Sequence, residues 1–250
     1  MKARPEIPRG PYLVVGMARS GVAAALALRR AGEQVIGVDS GEPADAGVEL
    51  HLGEQGIALL ERARAVVKSP GVPAQAPVIA AARERDLPVL GELELAWRML
   101  ANEFIAVTGT NGKTTTVELI GHIHREAGVP AAVAGNVGTA ASSLVGRLEG
   151  DATVVCEVSS FQLEDTLCFA PEAAVLLNVS PDHLDRHANM EAYLAAKLQI
   201  FARQEAQDIA IAPKIAATIQ KRRMIFVSDQ ARSSKWWWIG AIRNTRLRVA

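Results

Sequence analysis

The stretch from residue 104 to residue 116 constrains the fold most, because an apolar strand, a glycine-rich turn and the start of a helix follow one another without a gap. Gly109 and Gly112 allow backbone N–H groups to curl around phosphate oxygens with no Cβ in the way. Lys113 has the spacing to reach the β- and γ-phosphates, and the Thr114 hydroxyl has the spacing to ligate Mg²⁺. The stretch therefore predicts a site for a nucleoside triphosphate with Mg²⁺. Its candidate binding residues are Gly109, Thr110, Asn111, Gly112, Lys113, Thr114 and Thr115.

One position departs from the usual phosphate loop, since Val107 stands where the first glycine is expected. The alternative is a glycine-rich turn that carries an incidental lysine. The apolar strand before the turn and the helical pattern of residues 117–124 after it favour the phosphate loop over this alternative.

Charge and composition limit the classes of partner. The chain carries 27 basic and 27 acidic residues, so no global field draws it toward nucleic acid or an anionic membrane. Residues 22–28 are apolar but lead into Arg29 and Arg30, which is the wrong order for a secretory signal. The two cysteines, Cys156 and Cys168, indicate a reduced cytoplasmic protein rather than a disulfide scaffold.

The first part of the chain has the pattern of a nucleotide-binding unit. Residues 12–15 indicate a strand, residues 16–21 a glycine turn that leads into a helix, and residues 35–38 a second strand that ends at Asp39. Ala18 replaces the middle glycine of the turn, which limits how closely a pyrophosphate can approach. We expect a bound nucleotide here; the alternative is a doubly wound layer whose first turn is merely tight.

The second part repeats the alternation of strands and helices, which predicts an α/β fold with mainly parallel sheets. The chain has room for two modest domains. We predict a Rossmann-like domain over residues 1–93 and a P-loop NTPase-like central domain over residues 94–250. The boundary is placed in a predicted helix at residues 91–97.

Three side chains of the second part are candidates for chemistry. Glu157 follows a predicted strand and would face the Mg²⁺ held by Thr114; the alternative is an exposed glutamate. His183 lies in a polar segment, and because Mg²⁺ prefers oxygen ligands the alternative is a solvated loop. Lys197 lies in a predicted helix with an apolar face, where a snorkelling surface lysine is the alternative.

Taken together, these motifs resemble those of the Mur ligases, and in particular the branch that adds D-glutamate. They follow the family order from about residue 12 to about residue 203. The segments that carry the resemblance are residues 16–21, 69–71, 108–115, 135–138, 157–164, 182–187 and 195–197.

The resemblance implies a role for each matching residue. The uridine diphosphate of a sugar substrate would lie at Ser20, Asp39, Pro70 and Gly71. The rest of that substrate would face Asn136, Ser159, Gln162 and His183. Thr114 and Glu157 would hold one Mg²⁺, and His183 with a carbamylated Lys197 would hold a second. The implied catalytic residues are Lys113, Glu157, His183 and Lys197.

The resemblance also implies a reaction of peptidoglycan precursor synthesis. ATP would phosphorylate the carboxylate of UDP-N-acetylmuramoyl-L-alanine, and the amine of D-glutamate would then displace phosphate from the acyl phosphate. Lys113 and the two metals would neutralise charge on the transferring phosphoryl group.

The chain departs from the family near its end. Members have a third domain that binds D-glutamate, and no segment here corresponds to it. Residues 209–215 lack the family's asparagine–aspartate turn, and residues 236–243 predict a hairpin. We therefore expect a chain that binds the UDP-sugar, binds ATP weakly and does not form the amide alone. Separately, we expect a monomer. The alternatives are a sister ligase of Mur or folylpolyglutamate type, a nicotinamide-dependent dehydrogenase and a non-catalytic nucleotide-binding fragment.

Overall fold

The computed structural model describes residues 2–41, 46–53, 55–183, 186–213 and 224–227. The strands are β1 (Tyr12–Val15), β2 (Val35–Asp39), β3 (Glu49–Leu52), β4 (Ala65–Lys68), β5 (Val89–Gly91), β6 (Phe104–Thr108), β7 (Ala131–Gly135), β8 (Thr153–Glu157), β9 (Ala173–Leu176), β10 (Ile209–Pro213) and β11 (Met224–Val227). The α-helices are α1 (Arg19–Arg30), α2 (Pro77–Glu84), α3 (Glu92–Met99), α4 (Lys113–Glu126), α5 (Ser160–Glu164) and α6 (Met190–Leu198). Short 3₁₀ helices cover Ala58–Arg62, Ala141–Leu144 and Gln199–Phe201.

The strands form two sheets. The first has the order β3-β2-β1-β4-β5, which is the order of a Rossmann-like unit, and the second has the order β11-β10-β9-β6-β8-β7. Every strand pair in the described residues is parallel. The predicted α/β class with mainly parallel sheets is confirmed. In both sheets the loops that carry the predicted site residues leave the carboxyl ends of the strands.

The helix α3 joins the two cores. Leu93 and Trp97 pack into the core beneath the second sheet, while Leu95 packs into the core of the first. Met99 packs against both. The predicted boundary between residues 93 and 94 falls inside this helix and stays a prediction.

The residues before β1 also contact the second unit. The Arg4 guanidinium donates to the carbonyl oxygen of Trp97 at 2.6 Å and lies 4.6 Å from the centre of its ring. Lys2 forms an ion pair with Asp208, which directly precedes β10. The first residues therefore link to the second unit before the chain enters the first sheet. In the described ranges, whose longest helix is α4, no helix combines the length and apolarity needed to cross a bilayer.

Some elements differ from the sequence predictions. β3 is an additional edge strand, and its side chains are half-exposed or exposed, so it lacks the apolar run that marks the inner strands. The predicted helix that contains Lys197 begins at Met190, because the Asn189 side chain caps it by accepting from the Ala192 amide at 2.9 Å. The hairpin predicted at 236–243 lies outside the described residues.

Candidate functional site

The turn between β6 and α4 has the geometry of a phosphate loop. Gly109 has a φ of 154° and Gly112 a φ of 84°, a region that favours glycine, and Gly112 caps the N-terminus of α4. The Lys113 ammonium folds back over the turn and donates to the carbonyl oxygens of Gly109 (3.0 Å) and Thr110 (2.9 Å). Thr115 is exposed in the first turn of α4. The predicted strand, turn and helix are therefore all present, and the N-terminus of α4 is open to an anion.

Asn178, which the sequence analysis missed, braces the loop from the end of β9. Its backbone oxygen accepts from the Thr110 amide at 3.0 Å, and its side chain exchanges two hydrogen bonds with the backbone of Asn111, at 2.9 and 3.0 Å. Because β9 lies beside β6, a polar residue just beyond β9 meets the loop that leaves β6. That position at a strand's carboxyl end was the available signal.

Glu157 lies at the end of β8 and is 2% exposed. Its Oε2 accepts a 2.6 Å hydrogen bond from the Thr114 hydroxyl, and its Oε1 accepts from the Asn136 side-chain amide at 3.2 Å. The alternative of an exposed glutamate is therefore wrong. The paired hydroxyl and carboxylate oxygens fit Mg²⁺, which prefers oxygen ligands.

Lys197 is buried rather than snorkelling. Only 2% of the residue is exposed, and its ammonium donates to the Gly109 carbonyl oxygen at 2.8 Å and lies 4.4 Å from the centre of the Tyr193 ring. Burial, with a further contribution from the nearby Lys113 charge, lowers the pKa of Lys197 to about 8. An amine with this pKa is partly neutral near physiological pH, which is the form that captures CO₂. The implied carbamylation fits this environment and stays a prediction.

His183 lies in a strained turn near these residues. It has a φ of 51°, its side chain is about half exposed, and its ring centre lies 5.0 Å from that of Phe161. The Tyr193 ring contacts both His183, at 6.4 Å between ring centres, and Lys197. Within the described ranges no group of three or more His, Cys, Asp or Glu side chains is arranged to hold a metal. The second metal site of His183 and Lys197 stays a prediction.

The turn that carries His183 is fixed through His187. His187 contacts the Ser160 hydroxyl with Nε2 (3.0 Å) and Glu164 with Nδ1 (3.2 Å), and burial lowers its pKa. The order Ser–His–Glu is that of a hydrolase triad, but Ser160 is 2% and His187 3% exposed, which leaves no access for an acyl group. The chain of hydrogen bonds therefore holds α5 against the turn.

Ser159 and Gln162, predicted to face substrate, form a capping box at the start of α5. The Ser159 hydroxyl accepts from the Gln162 amide at 3.3 Å, and the Gln162 side-chain oxygen accepts from the Ser159 amide at 2.9 Å. Gln162 is buried. In this structure both side chains therefore cap the N-terminus of α5 and fix where the helix begins.

The nucleotide turn of the first unit is tightly built. The Asp39 carboxylate accepts hydrogen bonds from the amides of Met17 and Gly41, so it braces the turn from the tip of β2. A Cβ on Gly21 would lie 1.9 Å from the Gly16 carbonyl oxygen, so the last glycine of the pattern is obligatory. Ser20 lies half-buried in the first turn of α1.

The loop after β4 packs on this turn. The Ser69 hydroxyl donates to the Gly16 carbonyl oxygen at 2.5 Å, and the half-buried Pro70 and exposed Gly71 follow. The structure thus brings Ser20, Asp39 and the Pro70–Gly71 pair to the same sheet edge.

The two units meet beside this edge. The Arg19 guanidinium, in the first turn of α1, donates to the Asn136 backbone oxygen at 2.8 Å. A cavity of about 630 Å³ opens between the units. Its walls come from both, and include Met17, Ala18, Arg19 and Asp39 from the first and Ser143 and Arg147 from the second. Asn136 thus contacts the first unit through its backbone and Glu157 through its side chain.

Two family models match the chain. Residues 11–91 match the N-terminal domain of MurD-like Mur ligases, and residues 107–247 match the Mur ligase middle domain. The UDP-N-acetylmuramoylalanine–D-glutamate ligase of Pelotomaculum thermopropionicum is 40% identical over 94% of this chain and 55% of its own length. That of Acidobacterium capsulatum is 46% identical over 82% of this chain and 47% of its own length. The chain thus spans about half the length of these relatives.

Solved structures share the fold. The UDP-N-acetylmuramate:L-alanyl-γ-D-glutamyl-meso-diaminopimelate ligase of Neisseria meningitides superposes with a TM-score of 0.63 at 18% identity, over 88% of this chain and 78% of that one. The UDP-N-acetylmuramate–alanine ligase of Thermotoga maritima superposes with a TM-score of 0.54 at 25% identity, over 82% of this chain and 49% of that one. Both support the arrangement of two parallel-sheet units.

Proposed function

This chain belongs to the Mur ligase family, and on that premise we propose that it provides the UDP-sugar and ATP sites of a ligase that joins D-glutamate to UDP-N-acetylmuramoyl-L-alanine. The observation that carries the proposal is the contact of Glu157 with both Thr114 of the phosphate loop and Asn136, whose backbone contacts the first unit. The family assignment gives no support to the nicotinamide-dependent dehydrogenase. A sister ligase remains the second candidate within the family.

The phosphate loop would hold ATP. Loop amides and the N-terminus of α4 present partial positive charge to the phosphates, and Lys113 would exchange its two carbonyl acceptors for phosphate oxygens. A carboxylate oxygen of the UDP-sugar would attack the γ-phosphorus, the bond to the bridging oxygen would break, and ADP would leave. Positioning and charge stabilisation supply most of the catalysis in such a transfer.

Mg²⁺ fits the first of the two proposed metal positions. Thr114 and Glu157 would hold it, and when bound it would neutralise charge on the transferring phosphoryl group. His183 and a carbamylated Lys197 are proposed for a second ion. A lysine cation would repel a metal ion, but carbamylation converts Lys197 to an anion, which can bind one.

The first unit would bind the uridine diphosphate. Ser20 lies at the N-terminus of α1, where backbone N–H groups favour phosphate, and Asp39 lies at the tip of β2. The Pro70–Gly71 pair, in the loop that packs on the same turn, would contact the uridine diphosphate from the other side. Asn136, with Ser159 and Gln162 at the start of α5, would face the part that carries the reacting carboxylate.

The second step would form the amide. The uncharged amine of D-glutamate would attack the acyl carbon, phosphate would leave with the carbon–oxygen bonding pair, and the nitrogen would lose a proton. Phosphate is a far better leaving group than the hydroxide of a free carboxylate, which is why the first step is needed. We propose this step for the whole ligase, of which the chain spans the part described above.

We further propose that the protein works as a monomer in the cytoplasm, with no nucleic acid or membrane partner. The two cysteines are free, which fits a reducing compartment. Fractionation of the source cells with an antibody to the chain, and light scattering of the purified chain, test the two parts of this proposal.

The direct test is isothermal titration of UDP-N-acetylmuramoyl-L-alanine into the purified chain. Ser20→Ala and Asp39→Asn should weaken binding, while Arg85→Ala, which removes an exposed arginine of the same unit, should leave it unchanged. Equal affinity in all four proteins would remove the UDP-sugar assignment. ATP binding that persisted alone would then leave a nucleotide-binding fragment.

A further inference from the structure

The loop of residues 69–72 is held by cations from both units. Lys68, at the end of β4, donates to the Val72 carbonyl oxygen at 2.7 Å and forms a buried ion pair with Asp165 of the second unit, also at 2.7 Å. From the second unit, the Arg186 Nη2 donates to the Pro70 carbonyl oxygen at 2.9 Å and lies 3.4 Å from that of Val72. Both cations therefore share the Val72 oxygen.

Arg186 also belongs to the turn that carries His183. The backbone amides of Arg186 and His187 both donate to the His183 carbonyl oxygen, at 3.1 and 3.0 Å. The Arg186 guanidinium lies 4.0 Å from the centre of the Phe161 ring, and the His183 ring packs on the same Phe161. Hence one side chain contacts the Pro70 loop while its backbone closes the His183 turn.

We propose that Arg186 is a positioning residue that couples the Pro70–Gly71 loop of the first unit to the His183 turn of the second. The inference rests on the proposed function, in which the first unit holds the UDP-sugar and the second holds the phosphates. The reacting carboxylate and the phosphoryl group approach correctly only when the two loops keep a fixed relative position.

The chemistry of the contact calls for arginine. A single Nη2 carries two hydrogens, one for each carbonyl oxygen, while the flat guanidinium remains stacked on Phe161. A lysine ammonium carries enough hydrogens but cannot stack in this way. The Lys68–Asp165 pair is a less suitable probe, because removing either partner leaves an unpaired buried charge and destabilises the fold as a whole.

The test compares the wild-type chain with Arg186→Ala, Arg186→Lys and Arg85→Ala. Arg85 is a matched control because it too donates to a backbone carbonyl, that of Ile57, but within the first unit. Hydrogen exchange followed by mass spectrometry, without ligand, measures how fast the backbone amides of residues 69–76 exchange. Titration of UDP-N-acetylmuramoyl-L-alanine measures the Kd of each protein.

Arg186→Ala should raise exchange in residues 69–76 and in the 186–189 segment, leave exchange in β1 and β6 unchanged, and weaken binding about tenfold. Arg186→Lys should recover part of both effects, which a general loss of stability would not produce. Arg85→Ala should match the wild type at residues 69–76.

Two results would overturn the proposal. Unchanged exchange at residues 69–76 in Arg186→Ala would mean that the contact does not restrain the loop. Faster exchange spread evenly over both sheets would mean that Arg186 only stabilises the fold. Failure of the wild-type chain to bind the UDP-sugar would instead remove the proposed function, while the exchange arm would still decide whether Arg186 couples the two loops.

Discussion

Lys113 and Lys197 donate to the same acceptor, the carbonyl oxygen of Gly109, at 3.0 and 2.8 Å. Lys113 belongs to the first turn of α4 and Lys197 to the last turn of α6, so side chains from two helices hold the phosphate loop. The two like charges disfavour each other, and this adds to burial in lowering the pKa of Lys197. A phosphate bound by Lys113 would neutralise one charge, and carbamylation of Lys197 by CO₂ would replace the other with a negative charge. Either change would relieve the repulsion between the two lysines.

The lowered pKa of Lys197 predicts a pH-dependent stability. Its pKa is about 8 in the folded chain and 10.5 as its ordinary value, so the unfolded chain binds more protons between these values. The free energy of unfolding should therefore rise with pH from about 8 toward 10.5, in a manner that Lys197→Met lacks. Urea unfolding of both proteins in CO₂-free buffer measures the difference. Parallel curves would mean that Lys197 keeps its ordinary pKa.

Lys113→Ala should weaken ATP binding. It removes a charged hydrogen-bond donor from the phosphates, and such bonds contribute about 1.5–3 kcal/mol, which corresponds to roughly 10- to 150-fold in Kd. Titration of ATP with Mg²⁺ measures the loss. Arg125→Ala, which removes an exposed cation from the far end of the same helix, should bind ATP as the wild type does.

Glu157→Gln should remove the dependence of ATP binding on Mg²⁺. The change keeps the shape of the side chain but replaces the anionic oxygen that would meet the metal, and the Thr114 hydroxyl retains an acceptor. Adding EDTA should weaken ATP binding by the wild type and affect the variant far less. An equal effect of EDTA on both proteins would exclude Glu157 as the ligand.

Lys68→Ala should destabilise the fold by about 3 kcal/mol, because Asp165 would remain buried without its partner. Burial lowers the pKa of Lys68 and raises that of Asp165, which shows that desolvation disfavours the charged form of each group. Replacing both, as Lys68→Met with Asp165→Leu, should restore much of the free energy of unfolding. A double variant as unstable as the sum of the single changes would contradict this account.

Ser160→Ala should lower the free energy of unfolding by about 1 kcal/mol, because it removes one buried hydrogen bond to His187. Thermal and urea unfolding of the wild type and of Ser160→Ala test this. Neither the wild type nor Ser160→Ala should hydrolyse a p-nitrophenyl ester. Ester hydrolysis that required Ser160 would show that the buried Ser–His–Glu chain opens to substrate.

The sequence predicted the elements whose signal is local. Residues 12–15 form β1 with the predicted bounds, because their apolar side chains fill a strand that is buried along its length. β3 was missed, because an edge strand with exposed side chains lacks that run. The S-x-x-Q spacing of Ser159 and Gln162 is the sequence signal of the capping box that begins α5.

The contacts between distant segments were beyond the sequence patterns. Arg186 lies 116 residues from Pro70, and Lys197 lies 88 residues from Gly109, so no periodicity or spacing relates them. Tyr193 was missed as a site residue, although its place four residues before Lys197 on one helix makes the two side chains neighbours. Burial of Lys197 overrode the usual behaviour of a lysine on a helix, because α6 packs that face against the phosphate loop.

The shared helix α3 has a consequence for how the protein melts. Because Leu95 belongs to one core while Leu93 and Trp97 belong to the other, neither unit can lose its order without exposing apolar side chains of the other. We expect a single cooperative heat-absorption peak in place of two separate ones. A chain cut at residue 93 would yield two pieces, each with an uncovered apolar surface and each prone to aggregate.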